Sequence, residues 1–320
     1  MSFKRSLMII FCVLCASLCT AFGQTRSDPN KFAVIVNGAS GEAVYAKQFE
    51  DWTGQLTSVL SSRFGFDTKQ LTVLKAATAE DVKRTFTTLK TQLDANNVLY
   101  VFLIGHGSYD GRESKFNLVG PDLSASEYNT LLAALPTHRV VVFNMSSASG
   151  EFIKSLAAKG RIIITATRSG QETNATRFPE YFISALNAKD ADTDQDGHTS
   201  VLEAFVYANR LTADFYKQAG RLATEHAMFD DNGDGVGHEK LEGGEGLLAR
   251  ATYLDSLSTD EAAASAATGR LLKERTRLEG EIEQLIARKG NMAEADYEAT
   301  LERLFIELAK VNRTIKQAGS

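Results

Sequence analysis

The 320-residue sequence predicts an α/β domain with a mostly parallel sheet and helices on both faces, followed by a C-terminal α-helical hairpin. Three features carry that expectation. Short continuous apolar runs end in polar residues, segments of helical spacing lie between them, and past about Ser256 the chain turns to Ala, Glu, Leu, Lys and Arg with few turn residues.

The first such run is Lys31-Phe-Ala-Val-Ile-Val36, closed by Asn37-Gly38, as expected of a strand buried on both faces. Residues 44–63 then place Phe49, Trp52, Leu56 and Leu60 on one helical stripe. The alternation continues with a strand at 71–74, a helix at 79–93, a strand at 98–104, a helix at 124–135, a strand at 140–143, a helix at 151–158 and a strand at 162–165. Ser124 followed by Glu127 forms a capping box that marks one helix start. Strands that alternate with helices pair in parallel, and ligands of such sheets gather beyond the carboxyl ends of the strands.

This domain is expected over residues 30–255, with the hairpin or a coiled coil over 256–320. Ser258 and Glu261 form a second capping box, and Leu271, Leu278, Ile282 and Leu285 share a stripe. Lys289-Gly290-Asn291 breaks it, after which Tyr297, Leu301, Leu304, Leu308, Val311 and Ile315 form a heptad seam. So short a break favours two antiparallel helices, while a homodimer through the same seam is the other arrangement the pattern allows.

The N-terminus reads Lys4-Arg5, an apolar run from Leu7 to about Ala21, then Ala21-Phe22-Gly23 before Gln24, the pattern of a signal peptide over residues 1–23. Its apolar run of about 15 residues is short of the roughly 20 that span a bilayer. No other segment is long and apolar enough, so an exported protein, periplasmic or secreted, with no membrane span after cleavage is expected. Cys12, Cys15 and Cys19 are the only cysteines and all lie in this leader, leaving the mature chain no disulfide and no thiol nucleophile. Leu14 and Leu18 stand where a small residue should precede a lipid-bearing cysteine. A net charge of −5 gives no basic footprint for nucleic acid.

Two strand ends carry chemistry: Phe102-Leu-Ile-Gly-His-Gly-Ser108 and Val140-Val-Val-Phe-Asn-Met-Ser-Ser-Ala-Ser-Gly150. A histidine between glycines after a buried strand suits a base, because the flanking backbone approaches a substrate closely with free amides. In the order of these segments the chain resembles the legumain family, which includes the catalytic subunit of the GPI transamidase and belongs to the caspase clan of cysteine peptidases. The resemblance runs over residues 32–237. Phe32-Ala-Val-Ile-Val-Asn-Gly-Ala-Ser40 is similar to the family's first strand and loop, and Ile163-Ile-Thr-Ala-Thr-Arg-Ser-Gly170 to the strand beside its specificity pocket.

The resemblance implies a caspase-like sheet, with His106 as the base, Gly107 as the oxyanion-hole amide and Ser146, or Ser147 one residue on, at the nucleophile's position. Three departures follow. The nucleophile is serine, the first-loop arginine and asparagine of legumains stand as Ala46 and Val44, and the acidic residue before the nucleophile stands as Asn144. A thiol with a pKa near 8.5 is readily held as thiolate beside His⁺. A hydroxyl instead needs an imidazole at about 3 Å, itself oriented by a third group. These motifs supply no Asp or Glu for that role. The expectation is therefore a pseudopeptidase whose cleft binds a peptide or protein ligand. The alternatives are an active hydrolase using Ser146 and His106, and a structural envelope protein assembled through the hairpin.

Two acidic loops complete the sequence reading. Asp192, Asp194, Asp196, Gly197, His198, Ser200 and Glu203 fall on positions 1, 3, 5, 6, 7, 9 and 12 of an EF-hand calcium loop, position 7 through its backbone carbonyl. Hard Ca²⁺ takes several oxygens at about 2.4 Å, so calcium is the expected cofactor, held by these residues. Asp230, Asn232, Asp234 and Gly235 repeat the beginning of that loop, but position 12 is Leu241, which leaves either a partial second site or a tight polar turn. His226, just upstream, is either a structural residue or one that faces the cleft.

Overall fold

The computed structural model describes residues 28–241, 245–255, 266–271, 274–275, 277–278, 281–282, 285, 289 and 293–318. The expected leader (1–23) and the expected capping pair Ser258 and Glu261 lie outside the described residues. In chain order the strands are β1 (Lys31–Asn37), β2 (Leu71–Leu74), β3 (Val98–Ile104), β4 (Gly107–Tyr109), β5 (Ser114–Phe116), β6 (Leu123–Ser124), β7 (Arg139–Asn144), β8 (Arg161–Thr165) and β9 (Met228–Asp230). The helices are α1 (Ala43–Ser62), α2 (Ala79–Gln92), α3 (Ala125–Ala133), α4 (Glu151–Leu156), α5 (Phe178–Ala185), α6 (Val201–Gln218) and α7 (Leu247–Arg250), with a C-terminal helix at Glu294–Ala318.

Six strands form the main sheet in the order β2-β1-β3-β7-β8-β9, parallel except for antiparallel β9. Alternation along the strands divides the core. Ile35, Phe102, Phe143 and Ile164 point to the face covered by α1, α5 and α6, while Val36, Leu103, Val142 and Ile163 point to the face covered by α2, α3 and α4. The expected stripe of α1 is buried as Phe49, Trp52, Leu56 and Leu60. Phe102 and Phe143 stack across β3 and β7 with centroids 4.8 Å apart, and Phe182 of α5 closes over Phe143 at 4.6 Å. Burying each such ring contributes about 1.5–3 kcal/mol.

The capping boxes at Thr78, Ser124 and Ser200 each pair the cap hydroxyl with the amide three residues on, fixing where α2, α3 and α6 begin. A small antiparallel sheet, β4-β5-β6, extends from the end of β3 and was not foreseen. In the C-terminal segment Leu278, Ile282 and Leu285 pack on Tyr297 and Leu304, forming an apolar cluster of their own. No helix among the described residues is long and apolar enough to cross a membrane.

Candidate functional site

The register that pairs Asn37 with Ile104 and Leu103 with Asn144 ends β1, β3 and β7 level with one another. The loop around Ser40, the turn at His106 and the loop Met145–Gly150 therefore meet at one edge of the sheet, as the parallel reading requires. His106 sits there against two aromatic rings, Tyr45 at 4.7 Å and Phe49 at 5.0 Å between centroids, both edge-on. Burial holds its pKa below the ordinary imidazole value, opposed by a backbone hydrogen bond at Ser40 and the charge of Glu42. The imidazole is thus neutral at pH 7, and among the described residues no carboxylate orients it by a hydrogen bond.

Ser146 and Ser147 are both buried, at 0% and 2% exposure. Neither hydroxyl is hydrogen-bonded to His106. The Ser146 hydroxyl donates to Asn144 Oδ1 at 2.7 Å and lies 3.2 Å from the Ser147 carbonyl. The Ser147 hydroxyl donates to the Gly107 carbonyl at 3.1 Å, and the Gly107 N–H donates back to Ser147 Oγ at 3.1 Å. The amide expected to serve an oxyanion is therefore engaged by a serine side chain. Gly107 must be glycine for this contact, since a Cβ there would lie 2.1 Å from the Ser147 carbonyl oxygen.

The rest of the loop is tied down in the same way. Ala148, at φ +50°, donates its N–H to the Glu172 carbonyl at 2.7 Å. Thr167 Oγ1 accepts from the Ser149 and Gly150 amides at 2.7 and 3.1 Å, and the Ser149 hydroxyl and Thr167 pair directly. Asn144 Nδ2 is left buried without a partner. His226 takes the structural role of its two alternatives: its Nδ1 lies 2.5 Å from Glu172 Oε1 and its N–H donates to Oε2 at 3.1 Å. It thereby braces the loop whose backbone receives Ala148.

Two clefts are lined in part by the first turns of α1. One, of about 380 Å³, is lined by Gly38, Ser40, Ala46, Glu50, Lys75 and Val119. The other, of about 370 Å³, is lined by Tyr45, Gln48, Asn174, Arg177, Phe215 and Arg221. Arg177 stacks over Phe215 at 4.9 Å, giving that cleft an aromatic and cationic wall.

In the first acidic loop, Asp192, Asp194 and Asp196 bring one carboxylate oxygen each within 4.8 Å of one another. Gly197, at φ +89°, makes the turn expected at position 6, and the Asp196 and Gly197 amides donate to Asp192 at 3.1 and 3.0 Å. Burial and the charges of Glu203, Asp196 and Asp192 raise the Asp194 pKa. The expected closing ligand, Glu203, is not in this trio. Its Oε1 accepts from the Thr193 N–H and hydroxyl at 2.8 and 2.9 Å, and its Oε2 accepts from the Ser200 N–H and hydroxyl at 2.9 and 2.8 Å. Ser200 itself is the N-cap of α6, and the His198 ring pairs with Asp255.

The second loop folds around Asp230, which accepts from the Gly233 and Gly235 amides at 2.7 and 2.9 Å. Asn232 Nδ2 donates to Asp234 Oδ2 at 3.2 Å, and Asn232 Oδ1 accepts from the Asp234 N–H at 2.7 Å. Glu245, not singled out in the sequence, joins Asp230 and Asp234 in a second carboxylate trio. Known proteins add no further assignment: no family model matches the chain, and no curated protein matches it.

Proposed function

We propose that this chain is an exported, non-catalytic relative of the legumain-like peptidases whose strand-end clefts bind a peptide or a segment of a partner protein. The observation that carries this reading is the reciprocal pair between Ser147 and Gly107, at 3.1 Å in each direction. A nucleophile needs its hydroxyl on the base and its oxyanion amides free. Here both serines are buried, the Ser146 hydroxyl is bonded to Asn144 and the Ser147 hydroxyl to Gly107, and the candidate amide is engaged. The neutral His106, held between Tyr45 and Phe49, then packs behind Tyr45, which lines one cleft, rather than acting as a base. Calcium in the loop from Asp192 to Glu203 is part of the same reading, supported by the three converging aspartates and the turn at Gly197.

The test is a diverse peptide library incubated with the mature protein and with Ser146→Cys, read by mass spectrometry for cleavage and by photo-crosslinking for capture. Capture without cleavage is expected from both, because a thiol at position 146 would still face Asn144 rather than His106. Cleavage by the wild type that disappears in His106→Ala would overturn the reading.

A further inference from the structure

We propose that Asp230, Asp234 and Glu245, with Asn232 beside them, form a second calcium site whose closing carboxylate comes from outside the twelve-residue loop. At position 12 the loop has Leu241, which offers no side-chain oxygen. The structure brings Glu245 to that place instead, so that one carboxylate oxygen of each of Asp230, Asp234 and Glu245 lies within 4.8 Å of the other two.

The second, independent observation is the state of Glu245. Its side chain is fully buried, and Oε1 has no hydrogen-bond partner. The His238 ring nitrogen Nε2 is 4.0 Å from it, beyond hydrogen-bond reach. A buried carboxylate oxygen with no donor is costly, and such a group is satisfied by taking up a proton, by pairing or by a metal ion. The other oxygen is fixed: Oε2 accepts the Asp231 N–H at 2.9 Å, so the same loop that supplies Asp230 and Asp234 holds Glu245 in place.

Asp231 is kept out of the ligand set by its own task. Its two oxygens accept from the Gly246 and Ala249 amides at 2.7 Å each, at the start of α7. Neighbouring carboxylates in one loop thus point to different ends, one to the helix and the others to the ion. Three converging acidic oxygens suit a hard cation, and calcium tolerates irregular oxygen cages that magnesium, which demands near-ideal octahedral geometry and keeps its waters, does not. The ion would tie β9 to the segment that opens α7. Gly233 also packs on the backbone of Ala158 and Lys159, in the turn that leads from α4 into β8. The site would therefore brace the side of the sheet that carries the Ser146 loop.

Native mass spectrometry of the full mature chain, titrated with Ca²⁺ and separately with Mg²⁺, tests this by counting bound ions. Glu245→Gln and Asp234→Asn should each bind one Ca²⁺ fewer than the wild type, whatever the first loop binds. Asp194→Asn, in the first loop, should leave the second ion in place. Exposed Asp234 gives a variant whose fold is not at risk, should Glu245→Gln fail to fold. An unchanged calcium count in Asp234→Asn, or a wild-type chain that binds no ion, would overturn the proposal, and Mg²⁺ binding at this site as tight as Ca²⁺ would overturn the choice of ion. None of these readings depends on whether the serines react.

Discussion

Replacing Ser147 by alanine separates a structural serine from a catalytic one. Removing the hydroxyl deletes two hydrogen bonds, the donation to the Gly107 carbonyl and the acceptance from its N–H, both at 3.1 Å. Neutral hydrogen bonds contribute about 1 kcal/mol each, and stranding a buried donor costs about 1–3 kcal/mol. Gly107 is only partly buried, so water recovers some of the loss and the net cost should be about 1–2 kcal/mol. For a domain of this size each kcal/mol shifts the melting temperature by about 2–4 °C, so Ser147→Ala should melt about 2–8 °C lower. Differential scanning calorimetry in chelator, which removes any metal contribution, is the assay. Active sites are commonly strained, and removing a catalytic group tends to leave stability unchanged or raised. A Ser147→Ala protein that melts at or above the wild type would refute the pinning argument.

Three further outcomes follow from the same geometry. His106→Phe keeps a ring between Tyr45 and Phe49 but does not titrate. Because the folded imidazole has a pKa below the ordinary 6.5, the unfolded chain binds the proton first, and wild-type stability falls as pH drops from about 6.5 toward the folded pKa. The difference between wild type and variant in urea titrations should therefore shrink in the variant's favour across that window, and a difference independent of pH would contradict it. Glu203→Gln should lower the melting temperature even in chelator, by about 1 kcal/mol of stability, because glutamine keeps only one of the two oxygens that accept from Thr193 and Ser200. Asp194→Asn should instead remove only the share of stability that an ion in the first loop supplies in excess calcium, about 2.7 kcal/mol at 100 times the Kd; identical behaviour of the two variants would show that the cap and the cluster are not separate. A chain ending at Asp255 should keep the folded α/β domain, since the C-terminal helices cluster on their own seam. It must retain Tyr253 to Asp255, whose backbone accepts from Tyr100 and Lys31. Light scattering on both lengths decides whether the seam also makes a dimer, and a shortened chain without cooperative unfolding would contradict the domain reading.

The sheet was legible because β1, β3, β7 and β8 are buried on both faces and so read as unbroken apolar runs, and α1 because Phe49 to Leu60 repeat at helical spacing. The strands β4, β5 and β9 are three residues each and carry no period, since Gly107-Ser-Tyr109 and Met228-Phe-Asp230 pair only because longer strands bring their partners near. At the site, the order of His106 and Ser146 along the chain placed both at one edge. The direction of the hydroxyls was not legible, because it depends on Asn144 and Gly107 competing with His106 for the serines across the fold. The first acidic loop was read from spacing alone, yet Glu203 lies only three residues from its helix cap, and its carboxylate is bonded to Ser200 there and to Thr193 at the start of the loop. Glu245 escaped notice because it lies four positions beyond the loop's usual end, where spacing rules no longer look; an acidic residue flanked by glycines past Leu241 was the only signal.

The most direct test of the central claim is treatment of the purified protein with a serine-directed fluorophosphonate, read by intact mass and peptide mapping. The buried hydroxyls of Ser146 and Ser147, bonded to Asn144 and Gly107, predict no adduct at either residue after prolonged exposure. A stoichiometric adduct at Ser146 or Ser147 that is lost in His106→Ala would contradict the account and identify an active serine hydrolase.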